Sequence, residues 1–179
     1  LCLRLGCGML YTEVTSSQGL AYGARPTFYM LEAAPSEHPL GAHIYGNAPE
    51  VLAQAAVRIH ALGRFDFIDI NTGCPVRKIV SRGAGAALLK DPGKILQMVR
   101  AVREATPLPV TVKTRSGFSH EEVNISEIAH AVEEGGAAAI AIHARVASRK
   151  HSGPADWEVL ARIKSERRIP VIGNGGIQQ

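Results

Sequence analysis

The sequence predicts an α/β fold, a (β/α)8 barrel of which about strands two to seven are present, and three observations predict it. Strand-like runs alternate with helix-like runs six times along the 179 residues. The strand-like runs are apolar almost throughout, the pattern of a parallel sheet buried on both faces. No glycine-rich dinucleotide fingerprint follows the opening strand, which separates the pattern from a doubly wound sheet. A complete barrel needs about 250 residues. The chain opens on Leu1 rather than Met, so residues 1–179 are expected to be a partial barrel domain from a longer protein.

The elements follow in order. Residues 1–6 read as a helix end, and residues 8–14 as the first strand. Residues 40–45 form the second, after which Pro49 opens a helix through about residue 62, favoured by its Ala and Leu content. Residues 65–71 are the third strand, and Asp91-Pro92 caps a helix to about residue 105. Residues 109–113 are rich in β-branched side chains and form the fourth strand. Ser119-His120-Glu121-Glu122 has the form of a helix N-terminus, and Gly135-Gly136 ends that helix. Residues 137–143 make the fifth strand, 156–166 a helix and 169–174 the sixth strand. The spacing is roughly 30 residues, as for βαβ units, with longer insertions at 22–39 and 76–90.

Composition narrows the class. Hydrophobic residues make up 46% and charged residues 20%, a globular balance. No apolar run approaches the roughly 18 residues of a membrane span, and no signal peptide is visible, so a soluble protein is expected. Cys2, Cys7 and Cys74 make no disulfide framework and no CxxC pair, which reads as a reducing cytoplasm. A net charge of +4 permits a polyanionic partner without requiring one.

In a barrel the carboxyl ends of the strands converge on one mouth, where the chemistry sits. The residues at those ends are Glu13, His43, Asn71 with Cys74, Lys113 with Arg115, His143 with Arg145, and Asn174-Gly175-Gly176. Thr111, Lys113 and Arg115 share one strand face, as do Ala139, Ala141 and His143, and the alanines leave room for a flat ring. Singly, each has a structural reading: a solvated lysine, a satisfied core histidine, a glycine turn. Their common position at the strand ends is what favours function.

The chemical types fit one task. Gly173-Asn174-Gly175-Gly176 lies where barrels bind phosphate with bare backbone N–H groups. Lys113 and His143 could hold a ring that becomes anionic on reduction. Cys74, with an unperturbed thiol pKa of about 8.5, could donate a proton. No HxH or HExxH suggests a metal, and no GxSxG elbow a serine hydrolase. His38, His60, His120 and His130 read as surface residues, Cys2 and Cys7 as inert packing, and Trp157 as a packing residue at a helix start.

The blocks Asp69-Ile70-Asn71-Thr72-Gly73-Cys74-Pro75 and Arg82-Gly83-Ala84-Gly85-Ala86-Ala87-Leu88 resemble the signature of the tRNA-dihydrouridine synthases. The resemblance continues in order through Pro109-Val110-Thr111-Val112-Lys113-Thr114-Arg115-Ser116-Gly117, Ile142-His143-Ala144-Arg145 and Lys150-His151-Ser152-Gly153-Pro154-Ala155-Asp156-Trp157. It ends with Pro170-Val171-Ile172-Gly173-Asn174-Gly175-Gly176-Ile177. The resemblance implies an FMN-bearing barrel, followed in the family by a small helical tRNA-gripping domain that is absent from this chain. It implies that NADPH, or NADH, reduces the flavin, that hydride passes to C6 of a tRNA uridine, and that a cysteine protonates C5. On these positions Cys74 is the general acid and Asn71 positions the uracil. Lys113 and His143 contact FMN, Asn174, Gly175 and Gly176 bind its phosphate side, and Arg115, Arg145 and Lys150 meet RNA or the target base. His43 stands where the family usually has a flavin-bonding glutamine, and Thr72 where methionine is common.

The same resemblance implies a cytoplasmic enzyme, monomeric at full length, with tRNA as its partner and no membrane or metal requirement. The opening flavin loop and the last strand with its phosphate-binding Gly-Arg are missing, so the chain alone is expected to bind FMN weakly and to be inactive. The alternatives are another FMN barrel reducing a free pyrimidine, a non-catalytic RNA-binding barrel, and a cysteine-nucleophile transferase.

Overall fold

The computed structural model describes residues 2–177. A 3-10 turn over Leu3–Leu5 closes at Gly6, matching the helix end read there; Leu1 lies outside the described residues. Strands β1 (Leu10–Tyr11) and β2 (Thr15–Ser16) precede helices α1 (Ser17–Ala21) and α2 (Arg25–Tyr29). Then come β3 (Leu40–Tyr45), α3 (Pro49–Ala61), β4 (Phe67–Asn71) and α4 (Arg77–Val80). After a 3-10 helix over Gly85–Lys90 follow α5 (Pro92–Ala105), β5 (Val110–Arg115) and α6 (Ile125–Glu134). The series ends with β6 (Ala139–His143), α7 (Trp157–Glu166) and β7 (Val171–Asn174). Every strand pair is parallel, in the order β1-β3-β4-β5-β6-β7, with β2 also on β3. This is the predicted incomplete (β/α)8 barrel.

Helix periodicity explains the outer layer. Leu52, Ala55, Ala56 and Ile59 form one buried stripe on α3, and Ile95, Met98, Val99 and Val102 form another on α5. Asp91 caps α5 by accepting the Lys94 amide at 2.9 Å, and Asp156 caps α7 by accepting that of Val159 at 3.0 Å. These stripes pack on alternate strand residues, Ala42, Ile44, Ile68, Ile70, Val112, Ile140 and Ile142, all fully buried.

The other strand face points into the barrel, and register arranges it in rows. The lowest row sets Gly41 beside Phe67. Above it lie His43, Asp69, Thr111 and Ala139; then Asn71, Lys113, Ala141 and Ile172; then Arg115, His143 and Asn174. The Phe67 ring occupies the space a side chain at residue 41 would need, and Tyr11 packs edge-on against it at 5.3 Å. Gly41→Ala is therefore expected to overpack the barrel floor and cost about 1–3 kcal/mol in urea denaturation.

Three local expectations are corrected. The first strand is split, because the Thr12 hydroxyl accepts the His43 amide at 3.0 Å and a side chain thus interrupts the ladder that β1 and β2 make with β3. Residues 119–122 form a turn, not a helix start. A Gly117–Val123 antiparallel bridge closes that turn, Glu122 pairs with Lys90 at 3.2 Å, and α6 begins only after Asn124. Cys2 and Cys7 are exposed instead of packed, and the Cys7 thiol reaches only the Met9 carbonyl. Trp157 covers Gly173 with part of its ring, as expected of a packing residue, and stays partly exposed.

Candidate active site

The sharp turn after β4 is built by Asn71. Its side-chain Oδ1 accepts the backbone N–H groups of Gly73 at 3.1 Å and Cys74 at 2.9 Å, an Asx turn that lifts the thiol off the strand end. The Arg82–Leu88 block braces the turn from behind, with the Ala86 amide donating to the Cys74 carbonyl at 2.9 Å.

That turn forms one wall of a cavity of about 670 Å³. Asn71, Cys74, Lys113, Arg115, His143 and Lys150 all line it, so six of the predicted site residues converge. Arg77 and His151 also line it; the sequence places His151 with Arg145, Arg149 and Lys150 beyond the mouth, whereas Arg77 was missed. The His151 ring stands 5.8 Å from that of His143; its place two residues beyond Arg149 in a basic loop was the available signal. Glu13 is not brought to this cavity: it is exposed beyond β1, and its carbonyl serves the Thr15 hydroxyl. Arg145 lines a neighbouring cavity of about 560 Å³ with His120 and Arg149.

The electrostatics are cationic. Burial pulls the Lys113 ammonium down to about 8, with Asp69 opposing and Arg115 adding to the fall. Lys113 takes no ion-pair partner among the described residues. Burial, then Arg115, Lys113, Arg145 and His151, hold His143 down at about 4, so it is neutral at pH 7. The Arg145 guanidinium, which can only donate, gives a hydrogen to His143 Nε2 at 3.0 Å; Nδ1 therefore carries the imidazole proton. Gly175, at φ 94, lies flat against the His143 ring where any side chain would collide with it. Asn174 sits beside His143 in register and is exposed.

Two residues depart from their predicted roles. Arg115 is only 4% exposed, and backbone carbonyls take three of its donors. Nε reaches Gly73 O at 3.0 Å, while Nη1 reaches Lys150 O at 2.6 Å and Val146 O at 3.4 Å. It is first a brace between the Cys74 turn and the loop after β6, and only Nη2 remains for a guest. Burial lowers its pKa, with nearby Cys74 acting in the opposite sense. Lys150 adopts φ 51, uncommon for a residue with a side chain, as its carbonyl meets Arg115. His43 has both ring nitrogens occupied inside the protein, by Asp69 at 2.5 Å and Asn71 at 2.8 Å.

Among the described residues, no group of three His, Cys, Asp or Glu side chains could hold a metal ion, and no helix is long and apolar enough to cross a membrane.

Residues 1–179 match the family model described as dihydrouridine synthase (Dus). The chain belongs to the dihydrouridine synthase family. It is similar to tRNA-dihydrouridine synthase B of Xanthomonas campestris pv. campestris, 36% identical over 177 residues, covering 99% of this chain and 53% of that protein. It is likewise similar to tRNA-dihydrouridine synthase B of Pseudomonas aeruginosa, at 37% identity with the same coverage. The probable tRNA-dihydrouridine synthase 1 of Synechocystis sp. is 37% identical over 169 residues, covering 94% of this chain and 47% of that protein. This dihydrouridine synthase chain thus spans about half the length of the curated relatives it matches.

Proposed function

We propose that this chain carries the catalytic face of a flavin-dependent tRNA-dihydrouridine synthase, reducing the C5=C6 bond of specific tRNA uridines. The main support is the convergence of a thiol, a carboxamide, a mostly buried ammonium and a neutral histidine on one cavity.

FMN fits the residues present. The cavity's size lies within the roughly 300–1,000 Å³ of small-molecule sites. Lys113 and the Nδ1–H of His143 offer donors to an anionic ring edge. Gly175 and Gly176, both at positive φ, leave a side-chain-free turn where backbone N–H groups can meet a phosphate. When bound, FMN supplies hydride drawn from NADPH or NADH.

Cys74 holds the proton for uracil C5. As C6 receives hydride, the C5=C6 π bond is replaced by two C–H bonds and the thiol becomes a thiolate. Arg115, beside it, offsets that charge. The Asn71 amide hydrogen not used by His43 orients the ring. Arg77, Lys150 and His151 at the cavity, with Arg145 behind, form a basic rim for the tRNA backbone. The uridine must leave its stack to reach the thiol. The same reading makes the enzyme a cytoplasmic monomer whose helical tRNA-gripping domain lies outside this chain.

The test is to purify the product of the complete reading frame and map dihydrouridine in tRNA from a strain lacking the gene. A yellow protein that restores the modification is expected, while the 179-residue chain alone turns over no tRNA. FMN affinity should weaken as pH rises through about 8, because Lys113 loses its positive charge there. A colourless protein that retains tRNA would instead indicate an RNA-binding barrel. Equal reduction of free uracil would indicate a free-pyrimidine reductase.

A further inference from the structure

Beneath the cavity runs a hydrogen-bonded chain whose direction is fixed at one end. Two backbone amides, of Gly73 and Cys74, donate to Asn71, so the acceptor there is Oδ1 and the group facing His43 is the NH2. That NH2 can only donate, so His43 Nε2 at 2.8 Å must present its lone pair. The imidazole hydrogen is then on Nδ1, where it meets Asp69 Oδ2 at 2.5 Å. The other carboxylate oxygen, Oδ1, accepts the Thr111 hydroxyl at 2.5 Å. Asp69, His43 and Asn71 are 1%, 8% and 6% exposed, so water does not compete for these bonds.

We propose that Asp69 and His43 are positioning residues: Asp69 fixes the His43 tautomer, His43 fixes the Asn71 amide, and Asn71 fixes the turn that carries Cys74. The inference rests on the function proposed above and reassigns His43, which the family resemblance makes a flavin contact. Neither ring nitrogen of His43 is free for a cofactor. The edge of Tyr11 (ring centroids 6.2 Å apart) and the Thr12 hydroxyl on the His43 amide hold the ring from the β1 side. One Asn71 N–H is left over at the cavity, aimed by the same chain. A misaligned Asn71 would displace both the ring-orienting donor and the acid.

Glutamine supplies the same pair of functions as this tautomer, an acceptor toward Asn71 and a donor toward Asp69; leucine supplies neither. In the complete protein, His43→Gln should keep tRNA reduction within about threefold of wild type. His43→Leu should lose about tenfold to a hundredfold, the usual penalty of a misplaced catalytic group, with FMN affinity held within about threefold. A loss of FMN affinity in His43→Leu that His43→Gln does not share would make His43 a flavin ligand and overturn the proposal, as would wild-type rates in His43→Leu.

A second readout needs neither activity nor flavin. In the complete protein, long-range 1H–15N spectra of labelled histidine, assigned with His43→Gln, should show His43 as the neutral Nδ1–H tautomer at pH 7. An Nε2–H tautomer would overturn the proposal even if the enzyme is a dihydrouridine synthase. If the enzyme lacks that activity, the Nδ1–H signal would still uphold the positioning chain. If His43→Leu fails to fold, the tautomer and the His43→Gln rates decide the matter.

Discussion

On the proposed function, Cys74→Ala in the complete protein is expected to leave reduction of the bound flavin by NADPH within about twofold of wild type and to slow uridine reduction by about 100- to 10,000-fold, the range for loss of a positioned general acid. The two half-reactions are read separately, by flavin bleaching under NADPH and by its reoxidation with tRNA. Geometry predicts the split. The thiol sits on an Asx turn held by Asn71, on one wall of the cavity, whereas Lys113 and His143 approach from β5 and β6. Removing one sulfur disturbs neither of those strands. The Cys74 backbone keeps its bonds to Asn71 and Ala86, so the turn survives truncation. If both half-reactions fell together, Cys74 would be a structural residue.

The second large effect falls on stability. Arg115→Leu removes the hydrogen bonds to three backbone carbonyls, and among the described residues those of Gly73 and Lys150 have no other donor, whereas Val146 O also accepts the Arg149 amide at 3.3 Å. Hydrogen bonds from a charged donor are worth about 1.5–3 kcal/mol each, and a buried carbonyl left unpaired adds to the loss. A loss of about 3–5 kcal/mol is expected, a large share of a domain's typical 5–15 kcal/mol. It should appear as a lower urea midpoint at unchanged slope. Arg115→Lys should recover less than half of it, because one ammonium cannot reach carbonyls on two separate loops. A change below about 1 kcal/mol would show that the loops hold each other without the guanidinium.

Much of the fold was legible because strands buried on both faces announce themselves as apolar runs bounded by turn residues. β3 appears at the predicted boundaries, Leu40–Tyr45, and β4 to β6 within about two residues of theirs, the usual margin at element ends. The face shared by Thr111, Lys113 and Arg115 also followed from period-two alternation. What remained hidden depends on contacts distant in sequence. Arg115 reads as a free cation, yet its partners lie 42 and 35 residues away, on loops whose approach only the fold reveals. Asp69 takes no role from the sequence, where it stands within an apolar strand. The parity it shares with Asn71 was available, but its partner His43 comes from the preceding strand. Ser119 and Glu122 do bond each other, as in a cap, but the Gly117–Val123 bridge turns that bond into a hairpin closure.

The interior rows carry a consequence for how such a chain can vary. His43, Asp69 and Thr111 share one row, and Asn71, Lys113 and Ala141 the next, because three strand registers agree. A single inserted or deleted residue within β4 or β5 would exchange that strand's cavity face for its helix face, sending a carboxylate or an ammonium into the aliphatic layer. Substitutions inside these strands can be absorbed one side chain at a time, whereas changes of length cannot. Changes of length are therefore expected in segments that neither carry nor brace the site, such as 22–39, and an alignment that opened a gap within β4 or β5 would misplace the site.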